Sequence, residues 1–281
     1  MPKRNENTAA TTLTFNNRNR LIFALFAVCV SALVYGCSYL SPERPSLKFV
    51  STIAGIDNSI GEPFGIAVRG SDIYVSDGEK GEILRLSANG DQQTEGGLDT
   101  PSGIAFGKDG KLLVVDTGRN TIYRLDPSPS LVAGQGERGF RDGPSSEALF
   151  NGPVGIAVAS DGKIYVSDTY NDRIRVIEND QVRTIAGSTP GFADGTEAKF
   201  NTPTGLAIWH DKLLVADTGN NRIRVVESDG SVWTLAGNGT SDLVNGSLLS
   251  ASFVQPTGIA VDSDGTIFVT DGNAIRKIGG I

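Results

Sequence analysis

The sequence predicts an all-β fold, a five-bladed β-propeller of four-stranded antiparallel blades, and three observations carry that prediction. A Pro-x-Gly-Ile/Leu-Ala motif closed by Val, Phe or Ile occurs five times, starting at Pro63, Pro101, Pro153, Pro203 and Pro256. Each copy is followed by a turn and an apolar run that ends in aspartate, at Asp77, Asp116, Asp168, Asp217 and Asp271. These aspartates are spaced 39, 52, 49 and 54 residues apart, a period of blade length. After residue 45 there is no helical period, only short alternating runs bounded by turn residues.

The third copy shows what one unit contains. Pro153–Val158 is a short buried strand, and Ser160-Asp-Gly-Lys163 is a turn in which Gly162 can take a positive φ. Ile164–Asp168 is a second strand, Arg173–Ile177 a third that alternates polar and apolar, and Gln181–Gly187 a fourth closed by glycine. Four antiparallel strands repeated radially make a propeller blade. The first, second and fourth copies hold the same sequence of runs. The fifth has three, the last at Ala274–Ile278, before Ile281. Its missing strand has a counterpart at the other end, because Phe49–Gly55 matches Gln181–Gly187 and Ser231–Gly237. The expectation is that Phe49–Gly55 supplies the outer strand of blade five, so that neither sheet edge stays open. Six blades is the alternative count.

Asp168-Thr-Tyr-Asn-Asp-Arg-Ile-Arg175 and Asp217-Thr-Gly-Asn-Asn-Arg-Ile-Arg224, each after a Gly-Ile/Leu-Ala strand, resemble NHL repeats. The resemblance covers residues 49–281. Blade two keeps Asp116-Thr-Gly118 and Ile122 but has Thr121 where the motif has arginine, and blade five is two residues short between Asp271 and Ile275. Three linking segments also resemble one another, Gly139 to Phe150, Gly191 to Phe200, and Leu243 to Phe253. The resemblance implies a bacterial exported protein from a functionally diverse family, with protein- and RNA-binding scaffolds and, among its relatives, six-bladed enzymes.

Residues 1–36 differ in character. A basic flank (Lys3, Arg4, Arg18, Arg20) precedes an apolar run from Leu21 to Val34, then Tyr35-Gly-Cys37. That order is a secretory signal, and Val34–Cys37 resembles a bacterial lipobox, which makes Cys37 the lipidation candidate. Retention of the apolar run as a membrane anchor and plain cleavage without lipid are the other readings. The domains expected are therefore a signal or anchor at 1–36, a tether at 37–48 and the propeller at 49–281, held at the cell envelope, on the outer-membrane or periplasmic face. Without residues 1–36 the chain has 21 Lys+Arg against 31 Asp+Glu, a net charge of −10. Such acidity argues against nucleic acid as partner. Both cysteines, Cys29 and Cys37, precede the repeats, so the propeller has no disulfide.

The five repeat aspartates invite a catalytic reading, but one carboxylate per blade is what a structural role predicts. Each is expected to cap the turn after the second strand and to pair with the arginine five residues on. Arg173, Arg175, Arg222 and Arg224 are expected as exposed ion pairs on a wet strand, each worth less than about 1 kcal/mol. Phe150, Phe200 and Phe253 read as core plugs between blades. Asp142-Gly143 and Asp194-Gly195 offer oxygens to calcium, although Asp-Gly pairs are ordinary turns; no other cofactor or metal is expected. His210, the single histidine, sits in a turn. A histidine-liganded zinc lyase or a Ser-His-Asp hydrolase would need more than that. No catalytic residue is assigned. Candidate ligand-facing residues are the variable slot after each motif proline, Phe64, Ser102, Val154, Thr204 and Thr257, at the channel mouth. The function expected is a non-catalytic platform for an envelope protein or glycan. The resemblance leaves a divalent-metal lactonase or lyase of the gluconolactonase type as the alternative.

Overall fold

The computed structural model describes residues 60–126 and 128–279. Its strands form five separate antiparallel sheets in chain order, the five blades of a propeller. Blade one holds β1 (Pro63–Arg69), β2 (Asp72–Asp77), β3 (Glu82–Leu86) and β4 (Gln92–Glu95). Blade two holds β5 (Pro101–Phe106), β6 (Leu112–Asp116), β7 (Thr121–Leu125) and β8 (Pro129–Ala133). A two-residue strand, β9 (Gly143–Pro144), comes from the insert and pairs with the outer strand of blade three. That blade holds β10 (Pro153–Val158), β11 (Ile164–Asp168), β12 (Arg173–Glu178) and β13 (Gln181–Gly187). Blade four holds β14 (Pro203–Trp209), β15 (Lys212–Asp217), β16 (Arg222–Val226) and β17 (Val232–Ala236). Blade five holds β18 (Pro256–Val261), β19 (Ile267–Asp271) and β20 (Ala274–Ile278). The expected outer strand of blade five, Phe49–Gly55, lies outside the described residues, as do the apolar run and Cys37.

The motif Pro-x-Gly-Ile/Leu-Ala forms the innermost strand of every blade, and β1, β5, β10, β14 and β18 stand side by side in order. Each carries a β-bulge directly after the proline, where the register with the second strand shifts. The bulge brings the motif glycine against the next blade. A Cβ on Gly65, Gly103, Gly155 or Gly205 would lie 2.4, 2.5, 2.1 or 2.2 Å from the main-chain oxygen of Ser102, Val154, Thr204 or Thr257. Only glycine permits that approach.

The core is divided into four clusters, one at each junction between successive blades. Between blades three and four, Ile174 packs with Phe200, Leu206 and Val215. Phe150, Phe200 and Phe253 enter the three junctions from blade two to blade five, carried there by the inserts, and are fully buried. Side-chain hydroxyls stitch the same junctions. Thr117, Thr169 and Thr218 donate to the carbonyls of Pro153, Pro203 and Pro256, at 2.6, 2.8 and 2.7 Å.

Candidate functional site

All five repeat aspartates are buried, and their oxygens are spent within the fold. Asp77 accepts the backbone N–H groups of Gly61, Glu62 and Lys80, and Asp116 those of Asp99 and Thr100. Burial alone would raise the Asp77 carboxyl, but the N–H donors and Lys80 outweigh it and the pKa falls below the usual value. In blades three and four the balance is reversed. Burial dominates and raises Asp168 and Asp217, even though each accepts a backbone N–H, an asparagine amide and an arginine.

The arginines correct the sequence reading in two ways. The ion-pair partner of Asp168 is Arg175 at 2.6 Å, seven residues on, and that of Asp217 is Arg224 at 2.6 Å. The arginine five residues on, Arg173, is the cross-strand neighbour of Asp168 in the ladder, but its guanidinium donates to the Asn171 carbonyl instead. Only in blade five, which is two residues shorter, does the pairing run five residues on, from Asp271 to Arg276. Nor are these surface pairs, since Arg175 and Arg224 are fully buried. The inserts fold over β12 and β16 and enclose them. Arg175 lies between the rings of Phe140 and Phe150, each 5.0 Å from its guanidinium carbon. It also donates to Asp142 and to the carbonyls of Arg141 and Leu149. Arg224 repeats this with Phe192, Phe200, Asp194, Ala193 and Lys199. The Asp142 and Asp194 carboxylates therefore hold an arginine and a threonine, Thr184 and Thr234. Among the described residues no three His, Cys, Asp or Glu side chains converge as metal ligands.

Among the described residues three recesses are large enough to hold a ligand. The first, of about 580 Å³, lies between the insert from Leu243 to Phe253 and β20, beside Asn245, Arg276 and Lys277. Two more lie among the blades. One, of about 560 Å³, lies between blades three and four and is lined by charged residues including Asp161, Lys163, Arg183, His210 and Lys212. Its lysines are paired, Lys163 with Asp161 and Glu178, and Lys212 with Glu227. The other, of about 510 Å³, is the central channel. It is walled by the inner strands of all five blades and continues outward between blades five and one, past Phe268, Thr270 and Ile275.

Of the slot residues, Phe64, Val154 and Thr257 line this channel. Ser102 and Thr204 turn into the junctions, where Ser102 donates to the Val154 carbonyl at 3.0 Å and Thr204 to that of Thr257 at 2.9 Å. The residues that sequence reasoning passed over are Ile66, Phe268 and Ile275, all exposed at the lateral opening. Nothing in the chain marked them, because their types match those of their buried counterparts in other blades. Only the absence of a packed neighbour distinguishes them.

Comparison with known proteins follows the same repeats. The family model for the NHL repeat matches residues 150–177, 200–226 and 253–274, which span the first three strands of blades three and four and the first two of blade five. Protein SUPPRESSOR OF QUENCHING 1 of Arabidopsis thaliana is 34% identical over 150 residues, covering 43% of this chain and 14% of that protein. NHL repeat-containing protein 2 of Bos taurus is 27% identical over 195 residues, covering 57% of this chain and 27% of that protein. The matched part is thus a small fraction of either relative. Among solved structures, an auxiliary nutrient binding protein from Bacteroides ovatus superposes with a TM-score of 0.65 at 20% identity, over 79% of this chain and 60% of its own. Virginiamycin B lyase from Staphylococcus aureus does so with a TM-score of 0.54 at 18% identity, over 78% and 67%. Identities this low compare folds alone. The chain carries NHL repeats in its third, fourth and fifth blades and is an NHL repeat-containing β-propeller.

Proposed function

We propose that this protein is a non-catalytic binding module, exported and held at the cell envelope, with the central channel as the place where it receives a protein ligand. One observation carries the reading: the channel is lined by uncharged and mainly apolar side chains, while the repeat carboxylates are committed to arginines and backbone N–H groups. An apolar lining favours a protein segment over a glycan, whose hydroxyls need polar partners. A solved neighbour named as a nutrient binding protein has the same fold, which is consistent with a binding role without assigning one.

The reading separates experimentally from a divalent-metal lactonase or lyase. A metal bound tightly to the folded state raises its melting temperature by mass action. The expected result is an unchanged melting temperature with calcium, zinc and manganese, together with an envelope protein recovered in cross-linking from intact cells. A metal-dependent rise, accompanied by lactone hydrolysis, would replace this function with the enzymatic one.

A further inference from the structure

Four junctions hold the propeller together, and each is made from the same two half-surfaces. The forward half presents an alanine of the inner strand, an aromatic or aliphatic residue of the second strand and an isoleucine of the third. In blade one these are Ala67, Tyr74 and Ile83, packed against Ile104, Leu112 and Val114 of blade two. The rear half is led by the motif Ile or Leu, as Ile156 packs against Leu113, Val115 and Ile122. Between blades five and one both halves are present, and no described residue covers them. On the forward side Ala260, Phe268 and Ile275 are exposed, Ile275 to 77%, whereas Ile122, Ile174 and Ile223 are at 0%. On the rear side Ile66 is 68% exposed against 7% for Ile104 and Ile156, and Val68 is exposed beside it.

The backbone stitching stops at the same place. Gly65, Gly103, Gly155 and Gly205 each abut a carbonyl of the following blade, but the nearest described atoms to a Cβ on Gly258 belong to its own blade's Thr270 side chain. The Ser76 and Ser167 hydroxyls accept the motif glycine's N–H and donate onward to the next blade's carbonyl at 2.6 Å, from Ser102 and Thr204. Thr270 accepts the Gly258 N–H in the same way, yet among the described residues the other group beside its hydroxyl is that of Thr257, at 3.0 Å.

We propose that this seam is the binding site, and that its occupant is an extended, uncharged polypeptide segment of a partner protein, carrying a branched aliphatic residue two places before a second apolar one. The proposal rests on the binding-module reading and names the partner's chemistry. The seam continues an interface the molecule already makes four times, so the occupant is defined by what fills the other four. That filler is an extended strand in which the carbonyl of the residue before the Gly-Ile-Ala meets the preceding blade's glycine and hydroxyl, and the isoleucine covers the forward half. No charged side chain lines the seam, which excludes a charged segment on desolvation grounds. The seam and the central channel it opens from together enclose about 510 Å³, which suits a few residues of chain and not a folded domain.

The test uses a fluorescent hexapeptide with the sequence of Pro153–Val158, titrated into the purified full-length chain and read by anisotropy. Saturable binding is expected, weakened at least about tenfold by Ile275→Arg and absent for a peptide with aspartate in place of its isoleucine. Ile275 is already exposed, so its substitution leaves the fold intact, and circular dichroism melting of the variant checks this. Ile66→Arg gives a second, independent wall. Lack of binding to the full chain, whether because its own N-terminal segment fills the seam or because nothing does, overturns the proposal. So does binding that survives both substitutions. If an envelope protein cross-links equally to wild type and Ile275→Arg, the binding-module reading stands and the seam is not its site.

Discussion

Arg175 shows how far one side chain can depart from its sequence-level description. It lies on a strand that alternates as if half wet, yet it is sealed beneath the insert with two carboxylates, two carbonyls and two phenylalanine rings around it. Burying a charge costs desolvation, and the ion pair offsets this only while both partners remain. Arg175→Ala should therefore destabilise the protein by roughly 3–5 kcal/mol in urea unfolding, because Asp168 is left buried and uncompensated. An exposed pair of the kind the sequence suggested would lose less than about 1 kcal/mol. The raised pKa of Asp168 has its own signature. A group whose folded-state pKa lies above its unfolded value holds its proton more tightly in the fold. Its contribution is complete below the unfolded value near 3.8 and is lost as pH rises through the folded one. As pH rises above about 4 the wild-type melting temperature should thus fall more than that of Asp168→Asn. Parallel profiles would show that burial does not govern this carboxyl.

At the scale of the element, the inner strand is where chemistry and geometry meet. Its bulge after the proline places a glycine against the backbone of the next blade, so the glycine is part of an interface and not merely of a turn. Gly155→Ala should cost about 1–3 kcal/mol by overpacking, since the Thr204 carbonyl cannot retreat from a Cβ at 2.1 Å. Gly258→Ala should cost clearly less, because the nearest described atoms belong to a threonine side chain that can rotate. Equal losses in chemical denaturation would mean that blade five has a close-packed follower after all. The strands themselves were legible in the sequence: Pro153–Val158, Ile164–Asp168 and Gln181–Gly187 fall where alternation and turn residues put them. The repeat supplied five readings of one pattern, and agreement among copies fixed register. The arginine partners were not legible, because the enclosing insert reaches Arg175 from residues 141–149, a contact no local spacing encodes. The seam was not legible either, since Ile275 and Ile174 occupy equivalent positions and differ only in what stands beside them.

For the whole molecule, compartment and attachment are the open questions, and Cys37 addresses them directly. If it carries lipid, Cys37→Ser should abolish labelling by a clickable fatty acid and leave an uncut precursor visible on a gel. Because the apolar run from Leu21 to Val34 would still hold that precursor at a membrane, labelling and not fractionation is the measurement that decides. Labelling that persists in the variant, or that is absent from the wild type, would overturn the lipid assignment to Cys37.

The division of the core into junctions also sets how the molecule comes apart. A closed ring has no first blade to lose, whereas the four junctions seen among the described residues make a linear array of five blades. In such an array each unit is stabilised by its immediate neighbours, so end units have one supporting interface and interior units two. Blade one, with β1 and β4 largely exposed, has the weaker claim to order of the two ends, while blades three and four keep an interface on either side. Opening would then begin beside the seam and travel inward, and whatever fills the seam would act as a keystone, turning an array that frays into a ring that melts as one.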